Sequence, residues 1–200
     1  MTKSYIIGNG TSRKGFDLNQ LTDGITIGCN SIYRDFTPDY VIGLDYSTRN
    51  KIDRIEDKPF RAILRRTDEL GMHWLYCDDK PMLRISDVAV GPGNFRSGQM
   101  AACYAAQVLD CDPIVMIGID FGRKLPDSGT PNDMYSSRNY PEDAGNGGYI
   151  IRAWRRLFAA YPKKRWIRVG DIPACDADFY RQYFGDTRLE LINYEEMVSI

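Results

Sequence analysis

Four short apolar runs, each followed directly by a polar residue, constrain the fold of this chain more than any other feature of its sequence. They read SYIIGNG, GITIGCN, YVIGLD and PIVMIGID, and they begin at residues 4, 24, 40 and 113. Runs that are apolar at successive positions, without alternation, are typical of strands buried on both faces of a parallel sheet. They therefore predict buried strands whose carboxyl ends carry glycine, asparagine or aspartate.

Helical patterns lie between and after these runs. Residues 97–109 carry small and apolar side chains at helical spacing, and residues 149–161 are amphipathic. Alternating strands and helices predict a doubly wound, mostly parallel α/β sheet of the Rossmann type. With 200 residues, no repeat and no linker, the chain is expected to form a single domain over residues 1–200. Further strands are predicted at 60–64, 74–77, within 80–90, at 165–169 and at 189–192, with helical turns at 16–21 and 66–70.

Charge and cysteine usage exclude several classes of protein. The net charge is −1, from 26 Lys and Arg against 27 Asp and Glu, which leaves no strong signal for nucleic-acid or membrane binding. No apolar stretch is long enough to span a bilayer, and the N-terminus lacks the pattern of a signal peptide. The five cysteines include no CxxC pair, which indicates reduced thiols and a cytoplasmic location.

The loops after the first three strands hold the first candidate site residues, because ligands of open α/β sheets lie beyond the carboxyl ends of the strands. Gly8, Asn9 and Gly10 allow a ligand to approach the backbone closely, or they form a tight turn. The sequence GNGTSR is neither a dinucleotide fingerprint nor a P-loop. The other candidates are polar residues that either contact a ligand or cap a helix: Ser12, Asn30, Ser31 and Asp45.

The second half of the chain supplies the remaining candidates. Arg96, Ser97 and Gly98 open the stronger helix, where backbone N–H groups favour a phosphate, although Ser97 also suits a plain N-cap. Asp120 ends the fourth apolar run and is a candidate metal ligand, hydroxyl acceptor or catalytic base. The long polar stretch 122–148 has the composition of a lid or binding loop. Its phenols and its arginine suit closure over a charged leaving group: Tyr135, Arg138 and Tyr140.

His73 is the single histidine, and solitary histidines are more often structural than catalytic. Any Ser-His-Asp or Cys-His mechanism would have to use it, and the sequence contains no GxSxG nucleophile elbow.

The order IIGNGTS, TIGCNSIY, a Ser-Gly helix start and a strand ending GIDF resembles the bacterial sialyltransferases of glycosyltransferase family 42. The segment RDFTPDYVIGLD also resembles a related family that includes 6-hydroxymethylpterin diphosphokinase. The resemblance covers about residues 4–121 and implies a sialyltransferase-like fold. It would place Asn9, Asn30, Ser97 and Gly98 at a nucleotide, and it aligns Asp45 and Asp120 with residues of the families' sites.

One departure from the sialyltransferase pattern concerns the general base. The resemblance implies that Tyr135 and Tyr140 hold the leaving phosphate and that a histidine follows them. Here that region contains no histidine, so Glu142 or Asp143 is the candidate base, since a carboxylate with a raised pKa can deprotonate a hydroxyl.

The sequence thus predicts a glycosyltransferase-like protein that uses a nucleotide-activated sugar of the CMP or UDP type, with an acceptor it does not reveal. One alternative is an ATP-dependent diphosphokinase, which would require magnesium with Asp45 and Asp120 as ligands. Another is a protein that binds a nucleotide or nucleotide-sugar without turnover. Aromatic residues near Trp154 and Tyr180, expected to be exposed, suggest a homo-oligomer.

Overall fold

The computed structural model describes residues 1–87, 96–121, 147–170, 180–197 and 199–200. Nine strands form one sheet in the order β6-β5-β4-β3-β2-β1-β7-β8-β9. The strands are β1 Ser4–Ile7, β2 Ile25–Cys29, β3 Tyr40–Gly43, β4 Arg61–Thr67, β5 His73–Cys77, β6 Lys80–Arg84, β7 Ile114–Ile117, β8 Trp166–Val169 and β9 Leu189–Ile192. The helices are α1 Tyr46–Asp53, α2 Ser97–Gln107, α3 Gly147–Ala160 and α4 Tyr194–Met197, and residues 180–184 are also helical.

Seven neighbouring strands, from β4 to β9 through the central β1, run parallel to one another. Strands β4, β5 and β6 are joined by antiparallel pairing, which adds a meander at one end of the sheet. The prediction of a mostly parallel α/β sheet is confirmed. Since β2 to β4 lie on one side of β1 and β7 to β9 on the other, the strand order reverses between β1 and β7.

The two faces of the sheet are covered by different parts of the chain. Helices α2 and α3 and residues 180–184 pack on one face, together with Ile6, Met116 and Trp166 of the strands. Helix α1, the short 3₁₀ segments after β1 and β2, and α4 pack on the other face against Ile7 and Val115. This arrangement is doubly wound, because each half of the sheet uses one face for its connections.

The helical turn expected at 66–70 is wrong. Arg66 and Thr67 belong to β4, and the chain reverses only after them. The Asp68 carboxylate accepts hydrogen bonds from the backbone N–H groups of Leu70 and Met72, at 3.0 and 2.8 Å. Gly71 completes the reversal with a φ of 75°, a left-handed conformation that glycine adopts without strain. An Asx-type hairpin turn therefore replaces the expected helix.

Four cysteines, Cys29, Cys77, Cys103 and Cys111, are buried free thiols, and Cys175 lies outside the described residues. Burial raises the pKa of the Cys29 thiol to about 12, so this group is not a nucleophile at neutral pH. None of the helices in the described ranges is long and apolar enough to cross a membrane.

Candidate functional site

The loops that follow β1 and β7 touch each other at the point where the strand order reverses. The Gly8 N–H donates to the carbonyl of Ile117 at 2.8 Å, and the Gly10 N–H donates to the carbonyl of Gly118 at 2.9 Å. A Cβ on Gly8 would lie 2.3 Å from the Gly118 carbonyl oxygen, and one on Gly10 would lie 2.2 Å from Asp120 Oδ2. Both glycines therefore have a packing role, whatever ligand the loop binds.

The side chain of Ile119 occupies the space between the β1 loop and the start of α2. A Cβ on Gly8 would approach Ile119 Cδ1 to 2.5 Å, and a Cβ on Gly98 would approach the same atom to 2.8 Å. Ile119 is 8% exposed, so the protein fills this part of the crevice itself. A ligand at this edge of the sheet therefore cannot occupy the space between Gly8 and Gly98.

Arg13 fills the inner side of the β1 loop. It is 4% exposed, its Nε donates to the Gly8 carbonyl at 2.9 Å, and Nη2 lies 3.6 Å from the carboxylate of Asp35. Its aliphatic part lies against Gly118, where a Cβ would meet Arg13 Cδ at 3.0 Å. At the position where a dinucleotide fingerprint has its third glycine, this chain has a buried side chain that clamps the loop.

Ser12 does not cap a helix, contrary to the expectation. It lies inside the 3₁₀ turn Thr11–Arg13, which begins after Gly10. Its backbone N–H donates to Asp120 Oδ2 at 3.3 Å, whereas its buried Oγ has no hydrogen-bond partner among the described residues. The buried Oδ1 of Asn9 likewise has no partner in that part of the chain. Two neighbouring oxygens of the β1 loop are thus left for a ligand or water.

A hydrogen bond connects the end of β2 to the first turn of α2. Ser97 Oγ donates to Asn30 Oδ1 at 2.7 Å. Asn30 has a φ of 53°, a left-handed conformation that asparagine tolerates well, and Ser31 follows it in the 3₁₀ helix Asn30–Arg34. Because the hydroxyl of Ser97 is directed at Asn30, the N-cap interpretation of Ser97 is wrong.

Arg96 is the N-cap residue of α2. Its backbone N–H donates to Gln99 Oε1 at 2.9 Å, which anchors the start of the helix. The N–H groups of Ser97 and Gly98, in the first turn of α2, donate to no backbone carbonyl of the described residues. The positive end of α2 therefore faces the same edge of the sheet as Asn9 and Asn30.

Asp45 is the N-cap of α1. Its carboxylate accepts hydrogen bonds from the Thr48 N–H at 2.8 Å, the Thr48 hydroxyl at 2.7 Å and the Ser47 hydroxyl at 2.8 Å. Partial burial raises the pKa of this carboxyl, but the bonds from Thr48 and Ser47 outweigh burial and hold the pKa below its usual value. Of the two interpretations of Asp45, the structure supports the cap.

We expect Asp45→Ala to reduce the free energy of unfolding by about 1 kcal/mol, the usual cost of losing a cap, whereas Asp45→Asn retains most of it. Since the pKa of Asp45 is lowered on folding, its charged cap stabilises the fold above pH about 4 and this contribution is lost as the pH falls through the lowered value. Urea unfolding at pH 7 and pH 3 measures both effects. An equal loss at the two pH values would contradict the assignment.

Asp120 contacts two partners within the described residues. It is 8% exposed, and its Oδ1 lies 3.4 Å from Nη2 of Arg168, which is 2% exposed. Its Oδ2 accepts the hydrogen bond from Ser12 N. A buried carboxylate with a guanidinium and an amide donor on it is poorly placed to act as a general base.

One metal ion cannot bind both Asp45 and Asp120. They follow β3 and β7, which are separated by three strand spacings, so their backbones lie about 14 Å apart at the usual distance between strands. No group of three or more His, Cys, Asp or Glu residues suited to a metal occurs in the described ranges. Asp45 and Asp120 therefore cannot be ligands of the same magnesium ion.

Trp154 and Tyr180 are buried against the Phe121 ring, so the exposed aromatic residues expected there, as a sign of a homo-oligomer, are wrong. Several predicted site residues are not described by the structure. Tyr135, Arg138, Tyr140, Glu142 and Asp143 lie outside the described residues.

His73, by contrast, is described. It is exposed at the start of β5, with its Nδ1 2.9 Å from the hydroxyl of Thr67. Nothing in this contact makes it a catalytic group.

Sequence reasoning missed Arg168, although a signal was present. Arg168 interrupts the apolar strand Trp166–Val169, and a charged residue in a strand buried on both faces requires a buried partner. Arg13 departs from the glycine pattern in the sequence, but the sequence alone does not indicate that its side chain is buried.

No family model matches this sequence, and no curated protein matches it. Among solved structures, the chain is similar to a protein from Lactobacillus plantarum determined by the Northeast Structural Genomics Consortium. The two share 14% sequence identity with a TM-score of 0.35 over 61% of this chain and 47% of that chain. The aligned part thus spans less than half of that protein, and a similarity this weak says nothing about function.

Proposed function

We propose that this protein is a glycosyltransferase-like enzyme whose nucleotide-sugar donor binds at the carboxyl ends of β1 and β2 and at the start of α2. The observation that carries the proposal is the hydrogen bond of 2.7 Å between Ser97 and Asn30. It joins two of the three turns in which the sequence suggests nucleotide contacts. The third, around Asn9, lies on the neighbouring central strand, where the strand order reverses.

The phosphate of the donor would bind at the amino end of α2. Backbone N–H groups there point outward from the helix, and the helix dipole favours an anion. The guanidinium of Arg96, an exposed residue at the N-cap, adds positive charge at the same place. Because a departing nucleoside phosphate gains negative charge, donors fixed at this point would stabilise the leaving group in the transition state.

The nucleoside would contact the strand-end asparagines. Asn9 Oδ1 is an acceptor without a partner in the described part of the chain, and it suits a ribose hydroxyl or an exocyclic amino group of a base. Asn30 uses Oδ1 for Ser97, which leaves its amide NH₂ as a donor. The two side-chain amides would together offer an acceptor and a donor to the edge of a base.

The contacts of Asp120 with other parts of the protein favour a second candidate function. In this alternative, the protein binds a nucleotide or nucleotide-sugar without turnover. Asp120 holds Ser12 and Arg168, so the general base would fall to Glu142 or Asp143. The diphosphokinase alternative is less well supported, because its expected magnesium ligands are the N-cap Asp45 and the buried Asp120, whose carboxylates already accept hydrogen bonds from the protein.

A thermal-shift screen of CMP, UDP, ATP and their sugar derivatives, with and without magnesium, tests the proposal. A pyrimidine nucleotide or its sugar should raise the melting temperature without magnesium, since binding stabilises the folded state by mass action. Asn9→Ala and Ser97→Ala should each weaken binding by about tenfold, the effect of losing one good hydrogen bond.

Matched controls are Asn50→Ala, a half-buried asparagine of α1, and Ser199→Ala, whose hydroxyl donates to the Glu196 carbonyl. Neither should change binding. Equal affinity of the Asn9 and Asn50 variants would refute the site. Slow release of free sugar from a bound donor separates the enzyme from a pure binder, which would leave the donor intact for hours.

A further inference from the structure

The ion pair of Asp120 and Arg168 connects β7 and β8 to the loop after β1. We propose that Asp120 is a positioning residue: oriented by Arg168, its carboxylate fixes the backbone of Ser12 and so the shape of the loop that carries Asn9. The effect on the loop follows from the contacts alone. The effect on a ligand rests on the proposed function.

The Asp120 carboxylate uses one oxygen for each partner. Oδ2 accepts from the Ser12 N–H at 3.3 Å, and Oδ1 faces Arg168 Nη2 at 3.4 Å. The loop is fitted closely to this carboxylate, because a Cβ at Gly10 would lie 2.2 Å from Oδ2. Any rotation of the Asp120 side chain would therefore change its contacts with both Gly10 and Ser12.

Arg168 is itself fixed on the opposite side. Its Nη1 donates to the Gly170 carbonyl at 3.0 Å, and its guanidinium carbon lies 5.4 Å from the centre of the Tyr180 ring, a cation–π arrangement. Gly170 has a φ of 142°, and a Cβ there would approach both Arg168 Nη1 and the Ser12 carbonyl, at 3.3 and 3.4 Å. Gly170 thus lies between the Arg168 guanidinium and the β1 loop, in a conformation that favours glycine.

A second contact holds the other side of Ser12. The hydroxyl of Tyr194 donates to the Ser12 carbonyl at 3.0 Å, and the Tyr194 ring stacks on Phe16 with 4.4 Å between centroids. Both backbone groups of Ser12 are thereby tied to later parts of the chain. Its side-chain Oγ and the Oδ1 of Asn9 remain without described partners, as expected of a loop shaped for an external group.

Stability alone is a weak explanation for this arginine. Its contact with Asp120 is long, and the buried Nε has no hydrogen-bond partner in the described part of the chain. A buried ion pair often contributes no more than apolar residues of the same volume, because desolvation offsets the attraction between the charges. This long ion pair is therefore better explained by its fixing of the β1 loop than by a contribution to the free energy of unfolding.

Two double variants separate positioning from stability. Asp120→Asn/Arg168→Met and Asp120→Leu/Arg168→Met both remove the two charges, so neither leaves a buried ion unpaired. The first keeps an oxygen that can accept from Ser12 N, and the second does not. Native-state amide exchange by NMR should show the Ser12 amide on the order of tenfold faster in the leucine double variant than in the asparagine one, the factor for one hydrogen bond.

The two double variants should melt within a few degrees of each other, and CMP, used as the probe, should bind on the order of tenfold more weakly to the leucine form. Equal Ser12 exchange in both, or faster exchange spread evenly over the sheet, would overturn the positioning role. If the wild-type protein binds none of the nucleotides, the proposed function fails, while the Ser12 exchange still decides the role of Asp120.

Discussion

Replacing Gly8 with alanine should destabilise the protein by about 3 kcal/mol, at the upper end of the usual cost of overpacking. The new Cβ would lie 2.3 Å from the Gly118 carbonyl oxygen and 2.9 Å from its carbon. Both backbones are held by the sheet, since Gly8 N donates to the Ile117 carbonyl at 2.8 Å. Neither can retreat without breaking the pairing of β1 and β7.

Gly98→Ala is the matched control, because its Cβ would also meet Ile119 Cδ1, at 2.8 Å, but no backbone atom. The end of a flexible side chain can move, and alanine favours a helix more than glycine does. We expect a stability change of less than about 1 kcal/mol there, against a fall in melting temperature of about 6–12 °C for Gly8→Ala. Similar melting temperatures of the two variants would show that the loops after β1 and β7 are not packed as described.

The Gly8 substitution also bears on how the sequence is interpreted. Glycines after a first strand suggest close approach of a ligand, yet the packing of Gly118 and Asp120 already excludes a side chain at positions 8 and 10. Loss of nucleotide binding in Gly8→Ala would therefore not identify a ligand contact. Asn9 and Ser97 are better probes, because their side chains can be removed without a clash.

The parallel strands were predictable because strands buried on both faces have continuous apolar sequences. The strand expected at 189–192 is β9, and the apolar runs beginning at 4, 24, 40 and 113 contain β1, β2, β3 and β7. The antiparallel meander was harder to predict. Arg65 and Thr67 of β4 are exposed, so the end of this strand looked like a polar helical turn.

Helix α1 was missed for a related physical reason. Ile52 is its single buried residue, which leaves almost no hydrophobic periodicity to detect. Its clearest sequence signal is Asp45 followed by Ser47 and Thr48, a capping pattern that the sequence alone could not distinguish from a binding residue.

The candidate site was predictable in location but not in its contacts. The carboxyl ends of parallel strands meet at one edge of the sheet, so Asn9, Asn30 and Asp120 had to lie along it. The direction of a single hydroxyl, such as that of Ser97 towards Asn30, depends on packing between distant segments. Arg168, 48 residues beyond Asp120, could be linked to it only through the fold.

The second large effect is expected at Phe121, the residue that follows Asp120. Phe121 is 2% exposed, and its ring lies 4.9 Å from that of Phe184, 5.1 Å from that of Trp154 and 5.9 Å from that of Tyr180. Phe121→Ala should cost about 3–5 kcal/mol, since it removes a large buried ring from a cluster that cannot collapse around the gap. Urea unfolding measures this loss directly.

The backbone at this position makes a sharper expectation possible. Phe121 has a φ of 52°, which costs a residue with a Cβ about 1–2 kcal/mol and glycine almost nothing. Phe121→Gly should therefore be at least as stable as Phe121→Ala. At Phe184, within the helical residues 180–184, the order should reverse, with glycine about 1 kcal/mol worse than alanine. The same order at both positions would contradict the left-handed turn.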